Sequence, residues 1–490
     1  VTTRSLGAAA VVSLLAGTAI AQPCVDGGIA SQSFTITAEN RIAPGVTVGD
    51  GLNQVATGDV NNDGFDDVIV GFAEATFGEV GEISRRGIVR VFSGADGSVL
   101  RQFTGATWTT PAQLDGFGWR VGSADVNNDG FDDVLIGIRR FHNGNGRVAV
   151  YSGATGNLLY NINGFGGDFG NQIINIGDVT GDSREDILIT LPSFNPDNLA
   201  APPGAITVHN GATGGLIDNS VGGGLNPRLG RVASKVADLN NDGINEVAIA
   251  TNQSVIAFDP TDLSAGVWIR VVDQFGGGDL ALAGIGDVND DGVDDVATVR
   301  NGQYFVLSGA NGNIITPEVE IYGFGPSGVA ASFNDLNNDG VADFVVAVRG
   351  GSGDEEELLN VDAVSGEILA RRTSPVFFDP DLGADVIGYA TGLAVGDVNN
   401  DGSLDAVVAR SITQFDIAPF SESVTALVYT GVPCAGDINA DGEINFNDLN
   451  TVLASFGLNG SGIPGDGDCN GTVNFNDLNT VLAAFGTSCD

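Results

Sequence analysis

A nine-residue string that the chain repeats is the feature that most limits its possible folds. DVNNDGFDD occupies residues 59–67 and recurs unchanged at residues 125–133. Five related strings begin at residues 178, 238, 287, 335 and 397, so seven copies lie 48 to 66 residues apart. Repetition at this period indicates one supersecondary unit written several times, and the spacing is typical of a four-stranded sheet.

Each copy is followed at once by a short run rich in β-branched residues. In chain order these runs are VIVG, VLIG, ILIT, VAIA, VATV, FVVA and AVVA. They are long enough for buried strands and too short for helices, and convincing amphipathic helices are absent before residue 440. We therefore predict an all-β, seven-bladed β-propeller over residues 45–430. Residues 22–44 form a lead-in that could contribute a ring-closing strand.

The repeated string carries oxygen-bearing side chains at alternate positions. Acids or amides fall at positions 1, 3 and 5, glycine usually at position 6, and an acid at position 9. Alternation places three side chains on one side of a turning backbone, and glycine allows the positive φ that such a turn needs. Anionic oxygen ligands without His or Cys are the set that Ca²⁺ prefers. Ordinary Asp-Asn-Gly turns are the alternative, and seven copies in phase make it the weaker one.

The predicted cation ligands are positions 1, 3, 5 and 9 of the seven loops. The third copy has Thr180 at position 3 and Ser183 in place of glycine, and the fourth has Glu246 at position 9. The predicted ligands are Asp59, Asn61, Asp63, Asp67, Asp125, Asn127, Asp129, Asp133, Asp178, Thr180, Asp182, Asp186, Asp238, Asn240, Asp242, Glu246, Asp287, Asn289, Asp291, Asp295, Asp335, Asn337, Asp339, Asp343, Asp397, Asn399, Asp401 and Asp405.

Two Phe-Gly pairs, Phe117-Gly118 and Phe169-Gly170, each stand ahead of an Asp-rich loop. Together with the loops, they resemble the FG-GAP repeats of integrin α-subunit propellers and their bacterial relatives, over residues from about 45 to 430. The resemblance implies that the calcium loops lie on one rim of the ring. It also implies that a protein or polysaccharide ligand binds the opposite rim.

After Cys434 the pattern changes to two twelve-residue loops, at residues 437–448 and 466–477. Their oxygen-bearing residues and their Gly at position 6 give EF-hand spacing, with Asp in place of Glu at position 12. A short helix is predicted after each loop, because apolar residues recur at helical spacing. These apolar residues are Leu449, Val452, Leu453, Phe456, Leu478, Val481, Leu482 and Phe485. The predicted ligands are Asp437, Asn439, Asp441, Glu443, Asn445, Asp448, Asp466, Asp468, Asn470, Thr472, Asn474 and Asp477.

The paired loop–helix units resemble a type I dockerin over residues 434–490, within a C-terminal module that we assign to residues 431–490. The resemblance implies Ca²⁺ in both loops, hence up to nine sites in the chain, and attachment to a cohesin-like or surface-scaffold partner. Cellulosomal dockerins usually carry small hydroxyl residues at loop positions 10 and 11, where this chain has Phe446-Asn447 and Phe475-Asn476. A purely structural calcium module is therefore the alternative.

The N-terminal residues 1–21 are typical of an export signal peptide. Arg4 precedes a short apolar run that ends in the cleavage motif Ala19-Ile20-Ala21. We expect a secreted, extracellular protein that does not insert into a membrane after cleavage and could attach to a cell surface. The net charge of −42 argues against nucleic acid as a partner, and a surface adapted to high salt is the other explanation of that charge.

Four cysteines in an exported chain suggest disulfides, with three possible full pairings. Cys434 and Cys489 bracket the C-terminal module, so we favour that pair. Cys24 and Cys469 stay unassigned.

Catalytic motifs are not evident in the sequence. The chain has no GxSxG, HExxH, CxxC or P-loop string and only two histidines, so no catalytic residue is assigned. A long connection in the second repeat places Arg139, Arg140 and His142, with Trp108 from the preceding connection, as candidate residues for binding an acidic sugar. Two solvated arginines beside an ordinary loop are the alternative.

The sequence favours a calcium-stabilised binding or adhesion propeller, attached through its dockerin-like tail. The alternative is a polysaccharide-degrading enzyme, a lyase or glycoside hydrolase with a propeller catalytic domain. A surface-layer component without a small ligand is a third reading. Propellers host all of these functions, so the fold does not decide among them.

Overall fold

Four-stranded antiparallel sheets arranged as a β-propeller dominate the computed structural model of this chain. The structure describes residues 32–41, 54–73, 76–77, 84–85, 87–105, 115–139, 141–195, 202–223, 227–272, 280–300, 302–321, 329–332, 334–336, 340–348, 357–373, 377–379, 384–386, 389–398, 400, 404–413, 421–429, 444–458, 465, 472–483 and 485–486.

Six of the sheets are meanders, in which strands pair in the order in which they follow along the chain. Sheet 1 holds β2 (Gln54–Gly58), β3 (Asp67–Phe72), β6 (Ile88–Phe92) and β7 (Val99–Thr104), with a hairpin of β4 (Thr76–Phe77) and β5 (Ser84–Arg85) inserted. Sheet 2 holds β8 (Phe117–Ala124), β9 (Asp133–Ile138), β10 (Arg147–Tyr151) and β11 (Leu158–Asn163). Sheet 3 holds β12 (Ile173–Gly177), β13 (Asp186–Leu191), β14 (Ala205–His209) and β15 (Leu216–Val221). Sheet 4 holds β16 (Val232–Lys235), β17 (Val247–Ala250), β18 (Ser254–Asp259) and β19 (Asp262–Val271). Sheet 5 holds β20 (Leu280–Gly284), β21 (Val296–Arg300), β22 (Gln303–Leu307) and β23 (Val319–Glu320). Sheet 6 holds β24 (Val329–Ser332), β25 (Phe344–Val348), β26 (Glu357–Val361) and β27 (Ile368–Thr373).

A further four-stranded sheet joins the two ends of this part of the chain. Its strands are β1 (Gln32–Arg41), β30 (Tyr389–Gly396), β31 (Asp405–Thr413) and β32 (Ser421–Tyr429), in the order β1-β32-β31-β30. A two-stranded hairpin of β28 (Phe377–Asp379) and β29 (Ala384–Val386) precedes it along the chain. All strand pairs in this sheet are antiparallel. We call it the mixed sheet only because it combines β1, from the lead-in that precedes the first repeat, with three strands from the other end of the propeller.

The β-branched runs of the sequence form the second strand of each meander sheet and β31 of the mixed sheet. β3, β9 and β13 are buried along their whole lengths, as runs apolar on both faces should be. The first strands pack against one another from sheet to sheet, and β30 packs against both β24 and β2. The predicted strands are thus confirmed.

The apolar core lies between neighbouring sheets. One cluster combines Val68 and Val70 of β3 with Val407 and Ala409 of β31, so the first meander sheet packs against the mixed sheet. Another combines Leu135 of β9 with residues of β13 such as Ile187. The buried apolar surface therefore ties each sheet to its neighbours.

Side chains on the outer half of four sheets also reach the next sheet. Arg101 Nη2 donates to the carbonyl oxygen of Ala154 at 3.0 Å, and Trp268 Nε1 donates to that of Gly309 at 2.7 Å. The hydroxyls of Tyr160 and Tyr304 donate to the carbonyl oxygens of Gly211 and Ala363. In each case the acceptor lies in the turn after the third strand of the neighbouring sheet.

Among the residues that the structure describes, the helices are few and short. The propeller contains α1 (Phe141–Gly144), so the expectation of an all-β ring is wrong for this one connection. The C-terminal module contains α2 (Phe446–Ser455) and α3 (Phe475–Ala483), which pack together around Val452 and Val481. In the part of the chain that is described, no helix combines the length and apolarity needed to cross a bilayer.

Candidate functional site: the Asp-rich loops

In five of the repeated Asp-rich loops the first residue is held by the loop's own backbone. Asp59 accepts hydrogen bonds from the N–H groups of Asp63 and Gly64, at 3.0 and 2.9 Å. Asp125, Asp178, Asp238 and Asp287 repeat the arrangement with the residues four and five places further on. The folded loop therefore fixes this carboxylate before any ligand arrives.

Glycine and asparagine make this turn possible. Gly64 and Gly130 adopt φ of 89° and 82°, and Asn62 and Asn128, two residues before them, both adopt 56°. Glycine adopts positive φ freely, and asparagine is among the residues that tolerate it best. The third loop has Ser183 at φ 65° where the others have glycine, so the same turn forms there with a residue that favours it less.

Two amide oxygens at position 3 are buried without a hydrogen-bond partner. Asn61 donates through Nδ2 to Asp63 at 2.8 Å, while its Oδ1 has no partner among the described residues. In the second loop, Asn127 Oδ1 is likewise buried and has no hydrogen-bond partner among the described residues. Buried carbonyl oxygens are normally satisfied, so these two lie where a bound group would satisfy them. An amide oxygen among fixed carboxylates fits a hard cation such as Ca²⁺.

The acid at position 9 has a role that the sequence did not predict. Asp67 accepts the N–H of Val60 at 3.0 Å within its own loop, and that of Gly94 at 3.1 Å beyond the third strand. Asp186, Asp295 and Asp343 make the same two kinds of contact. Each of these carboxylates is fully buried and ties its loop to the turn behind it.

Burial raises the pKa of these position-9 acids. Loss of solvent and then the neighbouring loop carboxylates raise the pKa of Asp67 and Asp133 to about 7, against backbone hydrogen bonds that lower it. For Asp295 the same causes raise the pKa to about 6. A bound cation would favour the ionised form of each group, because the interaction with an opposite charge offsets the loss of solvent.

The fourth loop is built differently. Pro260 stands where Gly94 stands in the first sheet, and proline has no N–H to donate to the position-9 acid. Glu246 keeps the contact within its own loop, accepting from the N–H of Leu239, and it also accepts from Asn240 Nδ2, both at 2.5 Å. Its carboxylate lies within 4.8 Å of those of Asp242 and Asp259.

Asp259 was missed by sequence reasoning, because it lies outside the nine-residue string. It occupies the position after the third strand, where other repeats have Ser93, Ser152 and Asn210. Asn210 Nδ2 donates to Asp182 Oδ2 at 2.8 Å, so this position borders the loop in another sheet as well. Alignment of the turns after the third strands would have revealed it.

Several predicted ligands lie outside the described residues. Asp335, Asp343, Asp397 and Asp405 are described, and Asp343 and Asp405 are fully buried. Asn337, Asp339, Asn399, Asp401, Asp437, Asn439, Asp441, Glu443, Asp466, Asp468 and Asn470 lie outside the described range, as do Cys24, Cys434, Cys469 and Cys489. Residues 1–21, which we predicted to be a signal peptide, also lie outside it.

In the C-terminal module, both helices start earlier than expected. α2 begins at loop position 10, because Asn445 caps it and Asp448 accepts the N–H of Asn445 at 2.9 Å in a capping box. Asp477 accepts the N–H of Asn474 at 2.7 Å in α3.

The predicted apolar face of the two C-terminal helices is only partly buried. Of that face, Leu453 and Leu482 are each 51% exposed, and Phe456 and Phe485 are 40% and 37% exposed. Phe446 and Phe475, which are outside the predicted face, are 67% and 68% exposed.

On the rim opposite the Asp-rich loops, Arg139 is the predicted ligand-binding residue whose side chain is described. It follows β9, and its Nε donates to Asp168 Oδ1 at 2.7 Å. Its guanidinium lies 4.2 Å from the ring centroid of Trp119. His142 lies in α1, and Trp108 and Arg140 lie outside the described residues.

Comparison with known proteins agrees with this architecture. The FG-GAP repeat family matches residues 52–91 and 117–151. The chain is 33% identical to integrin alpha-4 of Xenopus laevis over 150 residues, which are 27% of this chain and 14% of that integrin. It is also 33% identical to integrin alpha-5 of Xenopus laevis over 175 residues, 33% of this chain and 15% of that integrin. The chain thus covers about one seventh of the length of these relatives.

A solved structure of BBS1N in complex with ARL6DN is similar at a TM-score of 0.48 and 9% identity, over 84% of this chain and 98% of that chain. The repeat matches and the integrin similarity support an FG-GAP β-propeller.

Proposed function

We propose that the protein is a secreted, calcium-stabilised FG-GAP propeller that acts as a binding and adhesion module. In this proposal the six meander sheets and the mixed sheet serve as seven blades; the pairing of β1 with β32 supports closure of the ring by the mixed sheet. The similarity to integrin α-subunits supports a role in binding.

The observation that carries the proposal is the pair of unpartnered amide oxygens, Asn61 Oδ1 and Asn127 Oδ1, beside carboxylates that the backbone already holds. Bound Ca²⁺ would supply positive charge at the centre of each loop. The residues at positions 1, 3, 5 and 9 would hold it, with Asp259 added in the fourth loop. With the two C-terminal loops, the chain would hold up to nine Ca²⁺ ions.

The C-terminal module is proposed as the attachment point to a cohesin-like or surface-scaffold partner. Support comes from its exposed aromatic pairs. Phe446 packs on Phe485 and Phe456 on Phe475, each with ring centroids 5.0 Å apart and nearly perpendicular planes. Each pair joins the start of one helix to the end of the other. A two-sided apolar surface of this kind suits burial against another protein.

The test is to incubate the full chain in calcium with a panel of acidic and neutral polysaccharides and to measure both their retention and their chain length. We expect retention of at least one polymer without shortening. Shortening of any polymer would contradict the binding role in favour of a polysaccharide-degrading enzyme.

A further inference from the structure

A cluster of basic side chains lies between sheets 2 and 3, on the rim opposite the Asp-rich loops. Arg139 is ion-paired with Asp168, and Arg120 Nε donates to the carbonyl oxygen of Asn171. Arg228 acts electrostatically on Asp168 as well. In the described part of the chain the cluster therefore holds three guanidinium groups and one carboxylate, within a protein of net charge −42.

Asp168 is held in place by a strained loop. Asp168 has φ of 63°, between Gly167 at 70° and the Phe169-Gly170 pair, where Gly170 has 84°. A side chain on Gly167 would collide with Phe194, since its Cβ would lie 2.4 Å from Phe194 Cα. Ser193 Oγ donates to Asp168 Oδ2 at 2.6 Å and so fixes the second carboxylate oxygen. Strain of this kind persists where the surroundings enforce it, and such positions cluster at functional sites.

The ion pair leaves hydrogen-bond donors free. Arg139 engages Asp168 through Nε, and its Nη groups have no partner among the described residues. The same is true of the Nη groups of Arg120. Trp119 Nε1 is buried and likewise has no partner in the described structure. A buried N–H donor without an acceptor is rare and indicates a position for a ligand oxygen or a water.

The charges of the cluster are crowded. Burial and then the charge of Arg139 lower the pKa of Arg120 to about 10. Burial acts to raise the pKa of Asp168, but hydrogen bonds from Arg139 and Ser193 and the charges of Arg139 and Arg228 hold it below its ordinary value. Among the described residues the site therefore keeps an excess of positive charge at neutral pH, which an anionic ligand would balance.

We propose that this cluster binds the carboxylate of a uronic acid residue in an acidic glycan. The forked guanidinium groups of Arg120 and Arg139 match a carboxylate in two-point hydrogen bonding. Trp119 Nε1 supplies a further donor, and Asp168 is a positioning residue that orients Arg139. The inference rests on the proposed binding function and names the ligand class of the rim.

A uronate saccharide suits the surroundings better than an acidic protein does. Phe165, three residues before Asp168, is 48% exposed and is held edge-on by Phe194 at 5.2 Å between ring centroids. It offers an apolar face next to the charged groups, as mostly apolar binding sites with a few fixed polar groups do. A short uronate oligomer carries only a few charges, so it meets less repulsion from a chain of net charge −42 than the extended surface of an acidic protein does.

The test uses the full chain in calcium, with trigalacturonate and trimannuronate as probes and their methyl esters as neutral controls. Binding is measured by titration calorimetry. The variants are Arg139→Gln, Arg139→Lys and Arg120→Gln, with Arg90→Gln as matched control. Arg90 lies in β6 and donates to Gln102 within sheet 1, so its loss changes the net charge equally but leaves the cluster intact. Melting temperature in calcium checks that each variant is folded.

We expect at least one uronate trimer to bind and its methyl ester to bind at least tenfold more weakly. Arg139→Gln and Arg120→Gln should weaken binding at least tenfold, and Arg90→Gln less than twofold. Arg139→Lys keeps the positive charge but lacks the planar guanidinium that can donate two hydrogen bonds to one carboxylate, so it should also weaken binding by several-fold. Equal affinity in the wild type and Arg139→Gln would overturn the proposal.

Failure of the site is distinguishable from failure of the binding module. A chain that melts higher in calcium and retains a neutral polymer, but binds neither trimer, would overturn the uronate site and leave the proposed function standing. A poly-glutamate peptide that binds through Arg139 when both trimers fail would overturn the glycan assignment in favour of an acidic peptide.

Discussion

Asp66 Oδ2, in the first Asp-rich loop, accepts a hydrogen bond from the backbone N–H of Asp397 at 2.9 Å, across 331 residues of sequence. The N–H of Asp66 donates to the carbonyl oxygen of Asp397, also at 2.9 Å. Residues at position 8 of the loops make similar contacts elsewhere, as between Asp132 N–H and the carbonyl oxygen of Asp59. The Asp-rich loops thus form a chain of contacts from sheet to sheet in addition to any cation they hold.

Asp66→Ala is predicted to lower the free energy of unfolding by about 1–2 kcal/mol, because the N–H of Asp397 would lose its acceptor in a half-buried place. The measurement is urea unfolding in calcium. Asp66→Asn keeps an acceptor oxygen and should recover at least half of the loss. Equal stability of Asp66→Ala and the wild type would show that this contact does not hold the first and mixed sheets together.

Trp268→Phe should lower the free energy of unfolding by about 1–3 kcal/mol, since the carbonyl oxygen of Gly309 would lose its hydrogen bond in a buried contact between sheets 4 and 5. Trp119→Phe is the matched control. Its Nε1 has no described partner, so the ligand-free variant should stay within about 0.5 kcal/mol of the wild type. A larger loss for Trp119→Phe than for Trp268→Phe in the same denaturation experiment would contradict both assignments.

Asn127→Ala removes an amide oxygen that has no partner in the described protein and, besides it, one long hydrogen bond from Nδ2 to Asp133 Oδ1 at 3.3 Å. We predict a smaller rise in melting temperature on adding calcium than the wild type shows, with little difference between the two proteins in excess chelator. Asn161→Ala, on the exposed outer strand β11, is the control and should behave as the wild type in both conditions. A loss confined to the chelator condition would mean that Asn127 acts through the fold alone.

The metal-free protein is predicted to lose stability as pH rises from about 4 to about 7. The folded pKa values of Asp67, Asp133 and Asp295 are raised to about 7, 7 and 6 by burial and by neighbouring carboxylates. In this window the unfolded chain releases protons that the folded chain retains, so the folded state is favoured at the lower pH. A carboxyl group whose folded pKa is lowered, such as that of Asp178, changes the stability only at pH values below its ordinary pKa. Such groups therefore do not oppose the loss of stability between pH 4 and pH 7.

Melting temperatures in chelator at pH 5, 6 and 7 test this dependence. Asp67→Asn removes one of the titrating groups and should give a shallower slope. Stability that stays level or increases over this range in the wild type would contradict the raised pKa values.

Much of the fold follows from the sequence because its period and its apolar runs are local signals. The runs at 68–71 and 134–137 became β3 and β9, fully buried as expected. The short helix α1 was not predicted, because four residues are too few to show the 3.6-residue periodicity of apolar side chains that indicates a helix. The early start of α2 could have been predicted from the capping box of Asn445 and Asp448, which the EF-hand spacing obscured.

The candidate site was predictable only in part, for a physical reason. In the five loops whose first and fifth positions are both described, these positions interact within a few residues, so the nine-residue string contains them. Asp259 and Asp168 lie far along the sequence from the residues that they contact, and the packing of strands and sheets brings them together. A short sequence motif does not show such contacts. The anchoring of Asp67 to Gly94 likewise spans 27 residues and needed the third strand to be placed.

Thermal unfolding of the full chain in calcium and in excess chelator tests the central claim most directly. If the repeated loops bind Ca²⁺ only when folded, the melting temperature must be much higher in calcium, and the difference must grow with free calcium concentration. An identical melting curve in both conditions would contradict the calcium role of the repeated loops.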